Sequence, residues 1–415
     1  MKILLINPDF KYKGGDLFPL GLGYIARIVK EKGHNISVLD FNACEISDSQ
    51  LSDFLLSKKP DLVFITSTTP SFEDATRKMK IVKTFSDAKI IFGGTHATFK
   101  PEDCLEQGAN IIIRGEGELT IAEVLDCLEN EKTINDIDGI SFFDNCKVIH
   151  NRERDLIENL DTIKFPLRTI FPLEKYKIMS IITSRGCSYS CSYCSASCFW
   201  KRIARFRSPE NVIEELKEIV SLGFDKIKFH DSTFTLDRSR TMKICDLISK
   251  NNLKIKWSCE TMAEHLDFEL LKQMKKSGCV FICFGVDSGS PDILSSAKRN
   301  INLNKTIEIF RLTSELDIKR RAYIMFGLPN ETRKTVKETI EFLKKIKPDE
   351  IMLSLATAYP GTELYNGKRI KLDETWVAKF SGHGRGSELF LPETLTIKEY
   401  MNLADEMYKE IKSLN

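Results

Sequence analysis

Hydrophobic residues in the first third of the chain occur in short uninterrupted runs, which is typical of strands buried on both faces. The runs predict five strands, at residues 3–6, 36–39, 62–66, 90–92 and 111–113. Between them, apolar side chains recur every three or four positions, which predicts helices. These helices lie near residues 20–32, 51–58, 72–85 and 119–128. The alternation predicts a doubly wound, Rossmann-like α/β domain with a parallel sheet over residues 1–132.

A second alternation follows a change of pattern. Residues 133–177 predict a hairpin around Asp144, followed by a linker containing Pro166 and Pro172. Six further strands are then predicted, at residues 179–183, 226–230, 254–258, 280–285, 322–326 and 351–355. Six β/α units predict a partial TIM-type (β/α)6 barrel over residues 178–356, with a smaller C-terminal segment over residues 357–415.

Composition narrows the function classes. The chain has 415 residues and a formal net charge of +2, and no block of basic residues indicates a nucleic-acid partner. No apolar run reaches the ~18 residues needed to span a bilayer. The apolar start, residues 1–6, is too short for the core of a signal peptide. The twelve cysteines therefore predict reduced thiols in a cytoplasmic protein.

Three of these cysteines carry the strongest chemical signal. Cys187, Cys191 and Cys194 are spaced Cys-x3-Cys-x2-Cys just after the first predicted barrel strand. Active sites of such barrels lie at that end of the strands. Structural zinc sites and ordinary ferredoxin clusters use four ligands, whereas three thiols suit an iron–sulfur cluster with one open iron. Two alternatives stay open, namely a zinc site completed by Cys198 or a histidine, and three unrelated buried cysteines.

The cysteine loop, with Tyr193 before the third cysteine, resembles that of the radical S-adenosylmethionine (SAM) enzymes. The resemblance implies that three thiolates hold a 4Fe-4S cluster whose fourth iron binds the amino and carboxylate groups of SAM. One electron, from an external flavodoxin- or ferredoxin-like donor, then yields a 5′-deoxyadenosyl radical that abstracts hydrogen from carbon.

Further residues at predicted strand ends match the family's SAM-binding positions. The resemblance implies that Asp231 contacts the amino group, that Asp287 contacts ribose or carboxylate, and that the segment from Tyr323 to Gly327 lies near the adenine. An aspartate at a strand end is, however, more commonly a helix cap. The implied SAM contacts are Tyr193, Asp231, Ser232, Glu260, Asp287, Ser288, Gly289, Tyr323 and Gly327.

The first domain resembles the cobalamin-binding domain of the cobalamin-dependent radical SAM enzymes of the class B methyltransferase type. The resemblance rests on residues 18–24, 93–96 and 115–118. Small and hydroxylated residues at strand ends let backbone amides approach a phosphate-bearing ligand. The alternative is a domain that binds nothing. The implied cobalamin contacts are Leu20, Gly21, Ser67, Thr68, Thr69, Gly93, Gly94, Thr95, His96, Gly115, Glu116, Gly117 and Glu118.

Some positions depart from the family pattern or stand outside it. Lys11 occupies the place of the histidine that binds cobalt in many cobalamin proteins, so we expect cobalamin without a histidine below the metal. His96 is expected to support the cofactor tail rather than to bind cobalt. Cys198 is expected to be a buried thiol rather than a fourth cluster ligand. The glycine-rich loop with His383 and Arg385 predicts a surface loop, or a lid over substrate.

Three functions follow from these observations. The leading hypothesis is methylation of an unactivated carbon of a small molecule or peptide, through a 5′-deoxyadenosyl radical and methylcobalamin. The second is a radical cyclisation or rearrangement without methyl transfer. The third, from another class, is a cobalamin- or redox-sensing iron–sulfur protein that is not an enzyme.

Overall fold

The structure is a computed structural model that describes residues 1–10, 17–380 and 387–414. Three residues singled out in the sequence, Lys11, His383 and Arg385, lie outside the described residues. The chain divides into two compact units, Met1–Lys177 and Ile178–Asn415.

The first unit is built on one sheet in which the predicted parallel strands are all present. Its order is β2-β1-β3-β4-β5-β6-β7, and β1 to β5 are parallel. The strands are β1 (Lys2–Asn7), β2 (Asn35–Asp40), β3 (Leu62–Thr66), β4 (Lys89–Gly93), β5 (Ile111–Ile113), β6 (Ile140–Asp144) and β7 (Lys147–His150). The helices are α1 (Leu20–Glu31), α2 (Asp48–Lys58), α3 (Phe72–Phe85), α4 (Thr95–Phe99), α5 (Pro101–Gln107) and α6 (Gly117–Glu129).

The sheet has two more strands than the sequence predicted. The hairpin of β6 and β7, expected in the connecting segment, pairs antiparallel with the edge strand β5. An unpaired edge would leave a row of backbone donors and acceptors open, and the hairpin covers it. On one face of the sheet, the apolar side chains of β1, β3 and β4 form a core with those of α2, α3 and α5.

The second unit confirms the predicted partial barrel. Six parallel strands follow the order β8-β11-β12-β13-β14-β15. These six are β8 (Met179–Ile181), β11 (Lys226–Phe229), β12 (Lys256–Thr261), β13 (Cys279–Asp287), β14 (Lys319–Phe326) and β15 (Glu350–Leu355). The unit has four further short strands outside this sheet, which are β9 (Ser184–Arg185), β10 (Arg205–Phe206), β16 (Arg369–Ile370) and β17 (Leu389–Phe390). The helices are α7 (Ser195–Phe199), α8 (Pro209–Ser221), α9 (Arg238–Lys250), α10 (Phe268–Lys276), α11 (Pro291–Ser296), α12 (Leu303–Glu315), α13 (Arg333–Ile346), α14 (Glu374–Val377) and α15 (Ile397–Leu414).

Successive side chains of the barrel strands point alternately to the surrounding helices and to the inner face of the barrel. Phe284 of β13 packs against Phe310 of α12, with ring centroids 4.6 Å apart. The adjacent Cys283 points to the opposite face, because successive side chains of a strand alternate. There its sulfur lies 3.9 Å from Nζ of Lys228 on β11. The inner face of the barrel is therefore polar at this level.

The C-terminal helix is part of the barrel wall. Tyr400 of α15 is fully buried and its ring lies 4.9 Å from that of Phe326. Gly327 has a φ of +87°, and a Cβ at this position would lie 2.6 Å from the Tyr400 ring. Glycine is therefore required at Gly327 by packing. Within the described ranges, no helix combines the length and apolar character that crossing a membrane demands.

Candidate active site

The three-cysteine loop follows β8 at the carboxyl end of the barrel strands. It is entered through Gly186, whose φ is +92°. A Cβ at Gly186 would lie 2.0 Å from the carbonyl oxygen of Ile203. Only glycine allows this contact, so the residue before Cys187 is fixed by the segment that follows α7.

Neighbouring loops of the barrel hold the cysteine loop from several sides. The amide of Ser192 donates to the carbonyl of Ala297 over 3.1 Å, and the Ser192 carbonyl accepts from the Leu364 amide over 3.2 Å. The Tyr189 hydroxyl lies 2.8 Å from Nε2 of His265, beyond β12. The loop is therefore anchored to segments that are distant in sequence.

The three thiols lie on one short loop between Gly186 and α7. Cys187 and Cys191 are buried, and Cys194 is half-buried at the N-cap of α7. Burial raises the pKa of the Cys191 thiol, the Arg299 guanidinium opposes this, and Cys194 adds to it. Among the described side chains, no group of three His, Cys, Asp or Glu residues is arranged to hold a metal ion. Three thiols on one short loop are nevertheless the donors that an iron–sulfur cluster uses.

Arg299 is a functional candidate that sequence reasoning missed. Its Nη1 lies 3.8 Å from the Cys191 sulfur, and its Nε lies 2.6 Å from Oδ2 of Asp287. The Tyr193 hydroxyl donates to the same Asp287 oxygen over 2.7 Å. Burial opposes the charge of Arg299, but Asp287, Tyr193 and Cys191 together outweigh burial and hold the pKa of the guanidinium above its ordinary value. The structure thus joins Tyr193 and Asp287, two predicted SAM positions, to Cys191 through a fixed cation.

A second polar group lies on the inner face of the barrel. Oε1 of Glu260 lies 2.9 Å from Nζ of Lys228 and accepts a hydrogen bond from the Tyr323 hydroxyl over 3.3 Å. Burial disfavours the Glu260 carboxylate, but Lys228 more than compensates and lowers its pKa. Glu260 and Tyr323 were both predicted from the family pattern. Lys228, which holds Glu260 ionised, was not.

Other predicted SAM positions have partners within the protein. The buried Asp231 accepts hydrogen bonds from the backbone and hydroxyl of Thr183 and from the Ser184 hydroxyl. The Ser288 hydroxyl lies 3.0 Å from that of Thr339. A Cβ at Gly289 would lie 2.4 Å from Cβ of Phe342, so this glycine lets α13 approach. Local packing accounts for these residues without a ligand.

The loop after β11 still reaches the cysteines. Ser232 is exposed, and the hydroxyl of the next residue, Thr233, lies 4.0 Å from the Cys187 sulfur. The position predicted to contact SAM is therefore beside the cysteine loop, although the Asp231 carboxylate itself faces the end of β8.

In the first unit, most of the predicted cobalamin residues follow the carboxyl ends of β3, β4 and β5. The Ser67 amide donates to the Gly93 carbonyl over 2.7 Å, and the Ser67 carbonyl accepts from the His96 amide over 3.1 Å. A Cβ at Gly94 would lie 2.5 Å from the Ser67 carbonyl oxygen. The Ser67 hydroxyl is buried without a hydrogen-bond partner among the described residues. A polar atom left in this way at a strand end fits a ligand-binding edge.

The remaining predicted cobalamin positions differ in their surroundings. The Thr68 hydroxyl lies 2.9 Å from that of Ser71, and a Cβ at Gly115 would meet nothing within 4 Å. A Glu116 carboxylate oxygen accepts from the Ile157 amide over 2.8 Å. Thr95 begins α4, Gly117 begins α6 and Glu118 is buried in its first turn, whereas Leu20 and Gly21 form the first turn of α1.

His96 holds two of these loops together. It is 5% exposed, its ring stacks on Phe72 at 3.9 Å, and Nδ1 lies 3.1 Å from the Thr69 hydroxyl. Burial, aided by the charge of Lys100, lowers the pKa of His96 from 6.5 to about 4. The ring is therefore neutral near pH 7 and ties the end of β4 to the loop after β3.

This burial predicts a dependence of stability on pH. Between pH 6.5 and about 4 the unfolded chain binds a proton at His96 that the folded chain does not. The free energy of unfolding should therefore decrease as the pH is lowered through this window, by about 3 kcal/mol at most for this group. Chemical denaturation at a series of pH values should show a smaller loss in His96→Gln. Parallel curves for the two proteins would contradict this assignment.

Comparison with known proteins agrees with both units. Residues 181–343 match the radical SAM superfamily, and residues 12–125 match the B12-binding domain. An uncharacterized methyltransferase of Pyrococcus horikoshii is 34% identical, with 88% of this chain and 82% of that protein covered. An anaerobic magnesium-protoporphyrin IX monomethyl ester cyclase of Cereibacter sphaeroides is 27% identical, with 97% and 69% covered.

Solved structures show the same fold. One is the radical SAM methyltransferase TsrM from Kitasatospora setae, with cobalamin and a [4Fe-4S] cluster bound. It matches this chain with a TM-score of 0.83 at 17% identity, and the match covers 100% of this chain and 89% of the TsrM chain. The cobalamin-dependent radical SAM enzyme OxsB has a TM-score of 0.72 at 19% identity, and this chain spans 56% of it. A radical SAM domain uses a 4Fe-4S cluster and SAM, and a B12-binding domain binds cobalamin. The chain belongs to the radical SAM superfamily and is a cobalamin-dependent, methyltransferase-like radical SAM enzyme.

Proposed function

We propose that this enzyme methylates an unactivated carbon of a small molecule or peptide. The observation that carries the proposal is the similarity to a methyltransferase across both domains, at 34% identity over 379 residues. The geometry agrees, because free thiols and a fixed cation lie at the carboxyl end of the barrel strands. We also propose a cytoplasmic location, which the twelve free cysteines support.

We propose that Cys187, Cys191 and Cys194 hold the cluster. When bound there, the cluster and SAM supply an adenosyl radical that can remove a hydrogen atom from substrate carbon. Tyr193 and Asp287 then orient Arg299 against Cys191, and Lys228 keeps Glu260 ionised beside Tyr323. Among the predicted SAM contacts, Glu260 and Tyr323 have the best support, since both face the inner side of the barrel.

In the first unit, we propose that the loops after β3, β4 and β5 hold cobalamin, which supplies the methyl group. Ser67 offers a buried hydroxyl, and the Gly94 backbone packs directly on Ser67. His96 acts on the cofactor through Thr69 and Phe72 rather than as a ligand of cobalt. The site residues for both cofactors remain proposals that variants can test.

Arg299 should set the reduction potential of the cluster. A cation beside a ligand sulfur stabilises the added electron, so replacing it should make the cluster harder to reduce. We expect Arg299→Met to lower the midpoint potential by tens of millivolts, where about 59 mV is tenfold for one electron. Redox titration followed by electron paramagnetic resonance measures the shift. Arg299→Lys keeps the charge and should shift the potential less, whereas equal shifts would show that the charge is not the cause.

A specific observation supports a second candidate. The Cereibacter sphaeroides cyclase is similar over 97% of this chain, so cyclisation without methyl transfer is the alternative. Product masses separate the two. With SAM labelled by deuterium in its methyl group, methylation adds a labelled methyl to the product, whereas cyclisation adds none. A product without label would overturn the proposed methylation and leave the cofactor assignment intact.

A further inference from the structure

A buried carboxyl lies in the turn between β14 and α13. Glu331 is only 3% exposed. Its Oε2 accepts a hydrogen bond from the Gly327 amide over 3.2 Å, and its Oε1 accepts one from the Thr335 hydroxyl. Gly327 directly follows β14, and Thr335 lies in the first turn of α13. The Glu331 carboxyl therefore ties the loop after β14 to the helix that follows it.

No opposite charge balances this carboxyl. Burial raises the pKa of Glu331 from 4.5 to about 7, and hydrogen bonds from Thr335, Gly327 and the Thr332 backbone oppose this only in part. Among the described residues, no Lys, Arg or His side chain and no second carboxylate acts on this pKa. The next basic residue in the chain, Arg333, is exposed and pairs with Glu406 instead. Glu331 is therefore a mixture of ionised and neutral forms near pH 7.

The C-terminal segment covers the same turn. The Thr394 hydroxyl donates to the Glu331 carbonyl. Tyr400 of α15 lies against Gly327, where a Cβ would be 2.8 Å from the Tyr400 hydroxyl oxygen. That hydroxyl is buried without a hydrogen-bond partner among the described residues. Burial, with a smaller contribution from Glu331, raises the pKa of Tyr400, so the titratable side chain that α15 brings to this turn stays neutral.

The hydrogen bonds of Glu331 fit its ionised form. The Gly327 amide, the Thr335 hydroxyl and the Thr332 amide are all donors to the carboxyl. A carboxylate only accepts hydrogen bonds, whereas a neutral carboxyl carries a proton on one of its two oxygens. Protonation therefore takes an acceptor away from these donors, and the loss of one such hydrogen bond changes an equilibrium by about two- to tenfold.

We propose that Glu331 is a positioning residue for SAM binding, whose ionised form holds the loop after β14 in place through Gly327 and whose neutral form releases that loop. This inference rests on the proposed SAM site, in which Tyr323 and Gly327 lie near the adenine. A buried carboxyl without a cation costs stability, and such groups are concentrated at functional sites. Because SAM favours the ionised form, its binding should release a proton from Glu331 to the solvent.

The variant Glu331→Gln tests the proposal, since glutamine has nearly the shape of the neutral carboxyl and does not ionise. SAM binding to the full chain, reconstituted with cluster and cobalamin, is measured by calorimetric titration at pH 6 and at pH 8. At pH 8 the variant should bind SAM about two- to tenfold more weakly than the wild type. At pH 6 the two proteins should agree within about twofold, because most of the wild type is then neutral at Glu331. Comparing the proteins at the same pH cancels any titration of SAM itself.

Two further variants isolate the carboxyl. Glu341→Gln makes the same substitution on the exposed side of α13, where Glu341 pairs with Lys344, and it should match the wild type at both pH values. Thr335→Val keeps the Glu331 carboxyl but removes one of its donors. It should therefore move the pH at which SAM affinity falls to a higher value.

A second readout needs no SAM. Between pH 4.5 and about 7 the folded chain holds a proton at Glu331 that the unfolded chain has lost. As the pH rises through this window, the free energy of unfolding of the wild type should decrease relative to that of Glu331→Gln. Chemical denaturation of both proteins at a series of pH values measures this difference.

The positioning role and the proposed function fail in different ways. If Glu331→Gln binds SAM as tightly as the wild type at pH 8, or more weakly by the same factor at both pH values, the positioning role is wrong. An unchanged midpoint in Thr335→Val would also overturn it. A wild type that binds no SAM at either pH would contradict the proposed SAM site as well. If SAM binds as expected but the product carries no added methyl group, the methylation proposal is wrong and the role of Glu331 stands.

Discussion

Replacing Cys191 with alanine is expected to abolish formation of 5′-deoxyadenosine. The thiol is buried and lies beside Arg299, and its loss would remove the middle one of the three proposed cluster ligands. The loss should exceed the roughly 10- to 100-fold that groups merely supporting a metal ligand contribute. Iron and sulfide content after reconstitution, together with chromatography of the nucleoside product, measures the effect.

Cys198→Ala is the matched control. Cys198 lies on α7, four residues beyond Cys194, and is half-buried. If three cysteines hold the cluster, this variant should keep its iron content and its 5′-deoxyadenosine formation. An equal loss in Cys198→Ala and Cys191→Ala would show instead that the loop supplies four ligands, which would close the site.

The second large effect is expected at Gly94. Its φ of +103° disfavours any side chain, and a Cβ would lie 2.5 Å from the Ser67 carbonyl oxygen and 3.0 Å from the Ser67 nitrogen. These neighbours are backbone atoms and cannot turn away. Gly94→Ala should therefore destabilise the first unit by about 2–4 kcal/mol, combining the cost of positive φ with that of overpacking. It should also weaken cobalamin binding by displacing the loop after β3.

Gly33→Ala separates the two causes. Gly33 also has positive φ (+79°), but a Cβ there would meet nothing within 4 Å. It should therefore cost only about 1–2 kcal/mol and leave cobalamin affinity unchanged. Thermal unfolding and absorbance titration with cobalamin measure both quantities. Equal cobalamin affinity in the Gly94 variant and the wild type would contradict the assignment of this loop to cobalamin.

Most of the fold could be predicted from the sequence because parallel strands buried on both faces consist of consecutive apolar residues. The strands at Leu62–Thr66 and Ile111–Ile113 were predicted at their observed bounds. Helices α4 and α5 were missed because each is shorter than two helical turns and lies between Gly94 and Gly108. The hairpin was predicted, but its membership in the sheet depends on pairing with β5, which no local pattern encodes.

The sequence predicted the site residues only where they lie close together in the chain. The three cysteines form one short motif, so their spacing and the resemblance it carries were enough to predict that they hold an iron–sulfur cluster, which stays a prediction. Arg299 meets Cys191 across 108 residues, and nothing in its own neighbourhood marks it. Lys228 was read as part of a strand, and its role depends on Glu260 in the next strand. Asp231 matched a family position, whereas its hydrogen bonds to Thr183 and Ser184 could be found only in three dimensions.

The most direct test of cobalamin-dependent methyl transfer needs no knowledge of the substrate. The full chain, reconstituted with iron, sulfide and cobalamin, is reduced and given SAM, and the two nucleoside products are quantified. We expect 5′-deoxyadenosine formation that depends on Cys191 and S-adenosylhomocysteine formation that depends on cobalamin. Formation of 5′-deoxyadenosine without any S-adenosylhomocysteine would contradict methyl transfer, and absence of both products would contradict the proposed chemistry as a whole.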